Sequence, residues 1–90
     1  MYRLVFPENY VRREKAFMRK DPELVERYKK VLRLLELNPF HTTLKLQELK
    51  GRFAEKHAIS INYSYRIVIA FVVIENEIIL IDIGHHDEVY

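Results

Sequence analysis

The sequence predicts an α+β domain of the order βααβββ, in which two helices pack on one face of a small, mostly antiparallel sheet. Three patterns lead to this prediction. Residues 21 to 38 carry apolar side chains at helical spacing, residues 57 to 63 alternate with the period of a strand, and residues 65 to 84 contain two apolar runs around a polar turn. A chain of 90 residues suffices for one compact unit, so we expect a single domain over residues 1 to 90.

The amino-terminal part is predicted to form a strand and a helix. Tyr2 to Phe6 has the composition of a short strand, which ends at Pro7 because proline lacks the amide that a sheet interior needs. Residues 8 to about 19 show the one-sided pattern of a helix packed on a sheet, with apolar side chains at Tyr10, Val11, Ala16, Phe17 and Met18.

The second helix has clear start and stop signals. Asp21 is a good N-cap, Pro22 suits the first helical position, and Asn38 with Pro39 ends the run. The predicted core stripe is Leu24, Tyr28, Val31, Leu32 and Leu35. The bases predicted on the outer, solvated face are Arg27, Lys29, Lys30 and Arg33.

Residues 38 to 52 are predicted to be a loop that faces a substrate. Pro39 and Gly51 punctuate this connection, and its bases are Lys45, Lys50 and Arg52. Cations on such a loop attract phosphate groups. Lys50 and Arg52 are therefore candidate substrate-binding residues.

Three strands are predicted to follow. In the first, the residues expected on the core face are His57, Ile59, Ile61 and Tyr63, and those expected on an open face are Ala58, Ser60 and Asn62. After a turn near Ser64, residues 65 to 74 are apolar on both faces, as in a central strand. Glu75 and Asn76 form the turn to the last strand, residues 77 to 84.

The alternation of the last strand predicts which side chains share a face. One face carries Ile79, Ile81 and Ile83. The other carries Leu80, Asp82, Gly84 and, where the strand continues, His86. By the same count the open side includes Ser60, Asn62 and Arg66, although turn geometry can shift the register by one residue.

Charge is distributed unevenly along the chain. Residues 1 to 66 hold all 15 Lys and Arg with 8 Asp and Glu, a net +7, whereas residues 67 to 90 hold 5 acids and no base. A basic lobe of this kind favours RNA or an acidic protein as partner, and solvated helices are the alternative explanation. The chain has no cysteine, which excludes disulfides, thiolate nucleophiles and cysteine-type zinc sites.

The sequence favours a cytoplasmic location. The strongest apolar run, residues 67 to 74, has the length of a strand and is too short to span a membrane. Arg3 and Pro7 fall where a signal peptide would need its apolar segment.

Three segments together resemble the RelE/ParE superfamily, and within it the RelE-type toxins of bacterial type II toxin–antitoxin pairs. They are PFHTTLKLQELKG, YSYRIV and LIDIGHHDEVY, whose order and spacing match over nearly the whole chain. The resemblance implies a RelE-like fold and a small toxin that cleaves messenger RNA, typically in the ribosomal A site. It also implies a tightly bound antitoxin that silences the toxin.

The resemblance assigns candidate catalytic residues one by one. The strand arginine of the family matches Arg66, the histidine near the carboxyl terminus matches His86, and the terminal aromatic residue matches Tyr90. One branch of the family has a histidine and an aspartate where this chain has Ser60 and Ser64. Another branch uses a cluster of bases whose spacing is not clearly reproduced by Lys50, Arg52 and Lys56.

The implied chemistry needs neither a metal nor another cofactor. RNA carries its own nucleophile, so an enzyme aligns the 2′-hydroxyl, moves protons and stabilises the phosphorane charge. In this reading His86 transfers a proton, as the general acid, and Arg66 binds phosphate oxygens. Tyr90 stacks on a base or orients it, and Tyr65 and His85 are further candidate substrate-binding residues.

Alternatives remain for the residues and for the function. Arg66 can instead pair with Asp82 or Glu77 across the sheet. A metal site of His85, His86, Asp82 and Asp87 is disfavoured because adjacent strand residues point to opposite faces. Two functional alternatives are a ParE-like toxin that inhibits DNA gyrase and an antitoxin-binding relative with weak or lost catalysis.

Overall fold

A computed structural model describes residues 1 to 89 of the protein. The helices and strands, in chain order, are β1 (Arg3–Val5), α1 (Glu8–Lys20), α2 (Val25–Leu37), β2 (Gln47–Glu48), β3 (His57–Ser60), β4 (Tyr65–Val72), β5 (Glu77–His85) and α3 (His86–Val89). Short 3₁₀ turns cover Pro22–Leu24, Thr42–Leu44 and Gly51–Phe53. No helix in this part of the chain is long and apolar enough to cross a membrane.

One five-stranded sheet forms the centre of the fold, in the order β1-β5-β4-β3-β2. β1 runs parallel to β5, and every other neighbouring pair is antiparallel. The predicted α+β class and the predicted helix and strand order are confirmed. β2 is an addition, since it lies within the segment predicted to be a loop.

The second helix begins later than its sequence signals predicted. Pro22 opens a 3₁₀ turn, the α-helix starts at Val25, and the Asp21 side chain makes no capping hydrogen bond. Asp21 therefore holds the predicted N-cap position of the helical run, but without the side-chain hydrogen bond of an N-cap. The predicted stripe does face the core, either buried or packed against it, at Leu24, Tyr28, Val31, Leu32 and Leu35.

The larger hydrophobic core lies between the two long helices and one face of the sheet. It contains aromatic residues of both helices and isoleucines of β3, β4 and β5. At its centre the hydroxyls of Tyr10 and Tyr28 lie 2.8 Å apart, and the Tyr28 hydroxyl donates to Glu14 Oε2 at 2.6 Å. The polar atoms of these buried tyrosines are thereby bonded, as burial requires.

A second, smaller cluster covers the opposite face of the sheet. Leu49, Ala58 and Val68 are buried there, with Phe53 and Ile81 packed against them. The face predicted to be open at Ala58 is therefore covered. The reason is that the chain folds back along β3: β2 pairs with this strand, and the Leu49 amide donates to the Lys56 carbonyl at 2.9 Å.

A β-bulge in β5 breaks the predicted alternation of that strand. Val68 pairs with Asp82 and Ile69 with Leu80, so Ile81 is an extra residue. Ile83 consequently lies in the helix-side core with Leu80, whereas Ile81 packs in the second cluster. The prediction that Ile79, Ile81 and Ile83 share one face is wrong.

Two predicted strand ends also need correction. β3 ends at Ser60, and Tyr63, predicted on the core face, is 91% exposed because the chain bends away after the strand. β4 ends at Val72, and Ile74 is 96% exposed in the turn to β5. Asn76 adopts φ 56° in this turn, a left-handed conformation that asparagine tolerates.

Candidate active site

The connection between β3 and β4 meets the carboxyl end of β5 and forms a rigid corner. Asn62 Oδ1 accepts from the amides of Ser64 and Tyr65, at 2.9 and 2.8 Å. The Ser60 hydroxyl donates to the Asn62 carbonyl at 2.7 Å, and the His86 amide donates to the Ser64 carbonyl at 2.9 Å. The corner therefore holds Tyr65 and His86 relative to each other.

Arg66 lies in β4 between Ser60 of β3 and Gly84 of β5. Its alternation with Ile67 places it on the same sheet face as Val68, opposite the long helices. Its Nε is buried and has no hydrogen-bond partner among the described residues. A buried guanidinium nitrogen without a partner is costly, and an anionic ligand is the group best suited to satisfy it.

The carboxylates considered as alternative partners of Arg66 are engaged elsewhere. Asp82 Oδ1 lies 3.6 Å from a guanidinium nitrogen of Arg13, and Glu77 is bonded to Arg3. In residues 1 to 89 no ion pair joins Arg66 to either of them. The cross-sheet ion pair considered as an alternative role for Arg66 is thus not formed.

His85, the last residue of β5, faces the helix side of the sheet beside its strand partner Tyr65. The two rings meet edge to face with centroids 5.6 Å apart, and the Tyr65 ring makes the same kind of contact with Phe17. Burial, followed by the carboxylate of Asp21, raises the pKa of Tyr65 above its ordinary value. Tyr65 is therefore a hydrogen-bond donor at neutral pH rather than a base.

A cavity of about 300 Å³ opens next to His85. β1 pairs with the first three residues of β5, so within residues 1 to 89 the β1 side of β5 beyond Ile79 has no neighbouring strand. Charged side chains from α1, the residue after it, β5 and α3 line the gap, namely Arg13, Lys20, Asp21, Asp82 and Glu88.

His86 is the first residue of α3, not a continuation of the strand. The chain turns there, and the rings of His85 and His86 stack with centroids 4.5 Å apart and an interplanar angle of 29°. Asp87 Oδ1 lies 3.1 Å from Nδ1 of His86, and Oδ2 lies 3.6 Å from Nδ1 of His85. The expectation that these adjacent imidazoles point apart is wrong, because strand alternation ends at His85.

Lys50 and Arg52 lie in the segment that covers the second cluster. Both are exposed, and the guanidinium of Arg52 sits 4.8 Å from the centroid of the Phe53 ring. They follow Leu49, which packs on Val68, so they belong to the same sheet face as Arg66. The structure thus places three of the cations that the sequence singled out on one side of the sheet.

Tyr90, the third candidate catalytic residue, lies outside the described residues. Sequence reasoning named Asn62 and Asp87 but assigned neither a role in the site, and both organise it. Asn62 ties the corner together, and Asp87 contacts both imidazoles. The one available signal was the HHD run itself, whose geometry depends on where β5 ends.

The sequence matches no model of a known protein family and no curated protein. Solved structures do match over almost the whole chain. The YoeB/ParE toxin from Agrobacterium tumefaciens is 23% identical with a TM-score of 0.72, covering 93% of this chain and 98% of that one. The E. coli DinJ-YafQ toxin-antitoxin complex contains a chain 13% identical with a TM-score of 0.78, covering 99% and 97%.

A copper-bound mutant toxin from Helicobacter pylori is also similar, at 18% identity and a TM-score of 0.76, with full coverage of both chains. Although the identities are low, the TM-scores of these three structures establish a shared fold. The protein therefore has the RelE-like fold of these toxins, as the sequence predicted.

Proposed function

We propose that the protein is the toxin of a type II toxin–antitoxin pair and acts as a metal-independent endoribonuclease on messenger RNA at the ribosome. The observation that carries this proposal is the position of Arg66, whose buried Nε has no partner in residues 1 to 89, beside Gly84, the residue before the two stacked imidazoles. Arg66 and His85 face opposite sides of the sheet at the same end. Fixed cationic donors and imidazoles are the groups that phosphodiester cleavage by a 2′-hydroxyl requires.

Each residue has a defined role in the proposed reaction. The guanidinium of Arg66 binds oxygens of the scissile phosphate and stabilises the charge of the phosphorane. The 2′-hydroxyl forms a bond to phosphorus and releases its proton to water, while the bond from phosphorus to the 5′-oxygen breaks and His86 protonates that oxygen. His85, whose ring lies 4.5 Å from that of His86, contacts the substrate beside it. Lys50 and Arg52 bind flanking phosphates, while stacking of a base on Tyr90 stays a prediction.

An antitoxin is the proposed protein partner, and the cytoplasm is the proposed location. One similar structure is a toxin-antitoxin complex. This chain also exposes apolar surface at the end of the sheet far from His86. There Val73 is 84% and Phe40 63% exposed, at a shallow pocket of about 360 Å³. Exposed apolar groups of this kind are typical of surfaces that bind another protein.

One observation favours the weakly catalytic alternative. The hydroxyl of Ser60, which stands where one branch of the family has a histidine, donates to the Asn62 carbonyl at 2.7 Å and so stabilises the turn. A hydroxyl in this role supplies no acid or base. The proposed enzyme therefore relies on His86, His85 and Arg66 for both alignment and proton transfer.

Expression of the protein in bacterial cells, followed by mapping of RNA ends and of DNA-damage signalling, tests the proposal. We expect growth arrest with new RNA 5′ ends inside coding sequences and without DNA damage. Growth arrest with DNA damage and no new RNA ends would favour the gyrase-inhibiting alternative. Absence of both effects, with an antitoxin still bound, would indicate an inactive relative.

A pair of histidine variants tests the assignment of the acid. His86→Ala should lower RNA cleavage by about 10²- to 10⁴-fold, the usual contribution of a positioned acid or base. His85→Ala should reduce it much less. Both variants should be compared at matched thermal stability. Wild-type cleavage by His86→Ala would remove that residue from proton transfer.

A further inference from the structure

Three consecutive side chains at the junction of β5 and α3 present metal-ligating atoms to one small region. His85 and His86 offer imidazole nitrogens and Asp87 offers a carboxylate oxygen, all within 4.8 Å of one another. Within residues 1 to 89 this is the single group of three or more such side chains that lies so close together. The proposed nuclease reaction uses the imidazoles for substrate and proton transfer and leaves Asp87 without a role.

The distances fit the ligand shell of one ion. The Asp87 carboxylate oxygens lie 3.1 Å from Nδ1 of His86 and 3.6 Å from Nδ1 of His85. Around a tetrahedral ion with bonds of about 2.0–2.1 Å, neighbouring ligand atoms are about 3.3–3.4 Å apart. Binding requires the stacked rings to rotate so that one nitrogen of each histidine and the carboxylate, now within 4.8 Å of one another, converge on a common centre.

The fold orients these groups before any ion binds. The Asp87 amide donates to Nδ1 of His85 at 3.2 Å, which fixes the ring and leaves its Nε2 as the nitrogen available to an ion while this hydrogen bond is kept. The Tyr65 ring packs against His85, and the backbone of His86 is held by the Ser64 carbonyl. Preorganisation of this kind lowers the entropic cost of assembling a ligand set.

The site is open rather than structural. The exposed fractions of the side chains are 33% for His85, 38% for His86 and 76% for Asp87. An ion bound by three protein ligands here keeps at least one position for water. Two imidazoles and one carboxylate suit Cu²⁺, Ni²⁺ and Zn²⁺, with Cu²⁺ bound most tightly, and do not suit Mg²⁺.

We propose that His85, His86 and Asp87 form an open binding site for a single divalent transition-metal ion, which prefers Cu²⁺ to Zn²⁺ and does not bind Mg²⁺. The bound ion should also inhibit RNA cleavage, an effect that rests on the proposed nuclease function, whereas the site itself does not. An ion on the ring of His86 occupies a nitrogen lone pair and fixes the ring, so occupancy inhibits proton transfer.

Calorimetric titration of the untagged full-length protein with CuCl₂, in a buffer that does not chelate metals, tests the site. We expect one ion per chain, an electron paramagnetic resonance spectrum with two nitrogen ligands, and weaker binding of ZnCl₂. His85→Ala and His86→Ala should each weaken Cu²⁺ binding by at least about tenfold, since the loss of even an outer-shell partner does so. Asp87→Asn should weaken binding less.

His41→Ala is the matched control. Nδ1 of His41 accepts an amide hydrogen bond from the residue two positions later at 3.1 Å, as His85 does, but His41 is exposed and belongs to no such group of three ligands. This variant should bind Cu²⁺ as the wild type does. The proposed site would be overturned if the His41 and His86 variants lost Cu²⁺ affinity equally, or if the His85 and His86 variants lost none. Binding of Mg²⁺ as tight as that of Cu²⁺ would also overturn it.

RNA cleavage measured with and without Cu²⁺ separates the site from its consequence. Inhibition of wild-type cleavage by Cu²⁺ supports both the metal site and the role of His86 in proton transfer. If the ion binds as expected and cleavage continues unchanged, the site stands and the role of His86 in proton transfer fails. If no cleavage occurs even without metal, the nuclease function fails while the binding result for the site is unaffected.

Discussion

The two faces of the sheet bury different polar groups. On the helix side, Tyr10 and Tyr28 are almost fully buried, yet their hydroxyls bond to each other and to Glu14. On the opposite face a smaller apolar cluster lies next to Arg66, whose buried Nε has no partner in the described part of the chain. The helix side also buries two atoms without a partner, Asp21 Oδ2 and His57 Nδ1, whereas the opposite face is the one that leaves a guanidinium donor for a ligand in residues 1 to 89.

This difference indicates a division between stability and function. Apolar burial stabilises a small domain in proportion to the area removed from water, and the helix side has the larger buried cluster. An unsatisfied buried donor lowers stability, and a ligand that accepts from Arg66 Nε would offset this cost. Four predictions test this comparison, from the largest expected effect to the smallest.

Arg66→Ala should separate activity from stability most strongly. Loss of the phosphate-binding guanidinium should lower RNA cleavage by about 10²- to 10³-fold. The melting temperature should stay unchanged or rise, because a costly buried donor is removed. Cleavage rate and thermal melting are the measurements, and Arg33→Ala, an exposed base on the outer face of α2, is the control. A large loss of stability in Arg66→Ala would contradict the view that Arg66 serves ligand binding rather than the stability of the fold.

The same leucine-to-alanine change on each face should give unequal losses of stability. Leu80 is fully buried in the helix-side core, and Leu80→Ala should cost about 2–5 kcal/mol of unfolding free energy. Leu49 belongs to the smaller cluster, and Leu49→Ala should fall at or below the low end of that range. Urea denaturation measures both. A greater loss for Leu49→Ala would reverse the assignment of the stabilising face.

Alkaline pH should weaken the helix side selectively. Burial raises the pKa of both Tyr10 and Tyr28 in the folded protein. The unfolded chain, with tyrosine pKa values of about 10, then loses these protons first, so stability is retained below about pH 10 and falls above it. Denaturation at several pH values measures the slope. Tyr28→Phe should reduce the slope and cost about 0.5–1.5 kcal/mol at neutral pH.

Replacing Lys50 and Arg52 together with alanine should have the smallest effect. Binding of single-stranded RNA should weaken for all sequences alike, and the slope of log K against log salt should become shallower by about 0.7 for each lost phosphate contact. Binding titrations at two or more salt concentrations measure this slope. An unchanged slope would show that these cations do not contact RNA, and a change in sequence preference would assign them to base recognition.

Periodicity within each segment predicted most of the fold. The stripe of α2, the apolar composition of β4 and the helix and strand order are local properties, since each depends on residues a few positions apart. Local patterns also predicted that Arg66 lies at the start of the central strand β4 and that two histidines lie where β5 ends. Strand and helix ends were less accurate, as at Asp21 and Tyr63, where tertiary contacts decide how far an element continues.

Register and the close approach of distant segments required the tertiary structure. The bulge at Ile81 moved Ile83 into the helix-side core, and the fold-back of residues 47 to 53 covered Val68. Neither has a local signal, because both arise from pairing between strands that are separated in sequence.

The site itself divides in the same way. The sequence by itself determined which chemical groups are present: an arginine in a central strand, two adjacent histidines and an aspartate after them. Only the tertiary structure decided that β5 ends at His85, that the imidazoles stack, and that Asp82 pairs with Arg13 and Glu77 with Arg3 rather than with Arg66. Residue types follow from the chain alone, whereas distances between side chains depend on where strands pair and end.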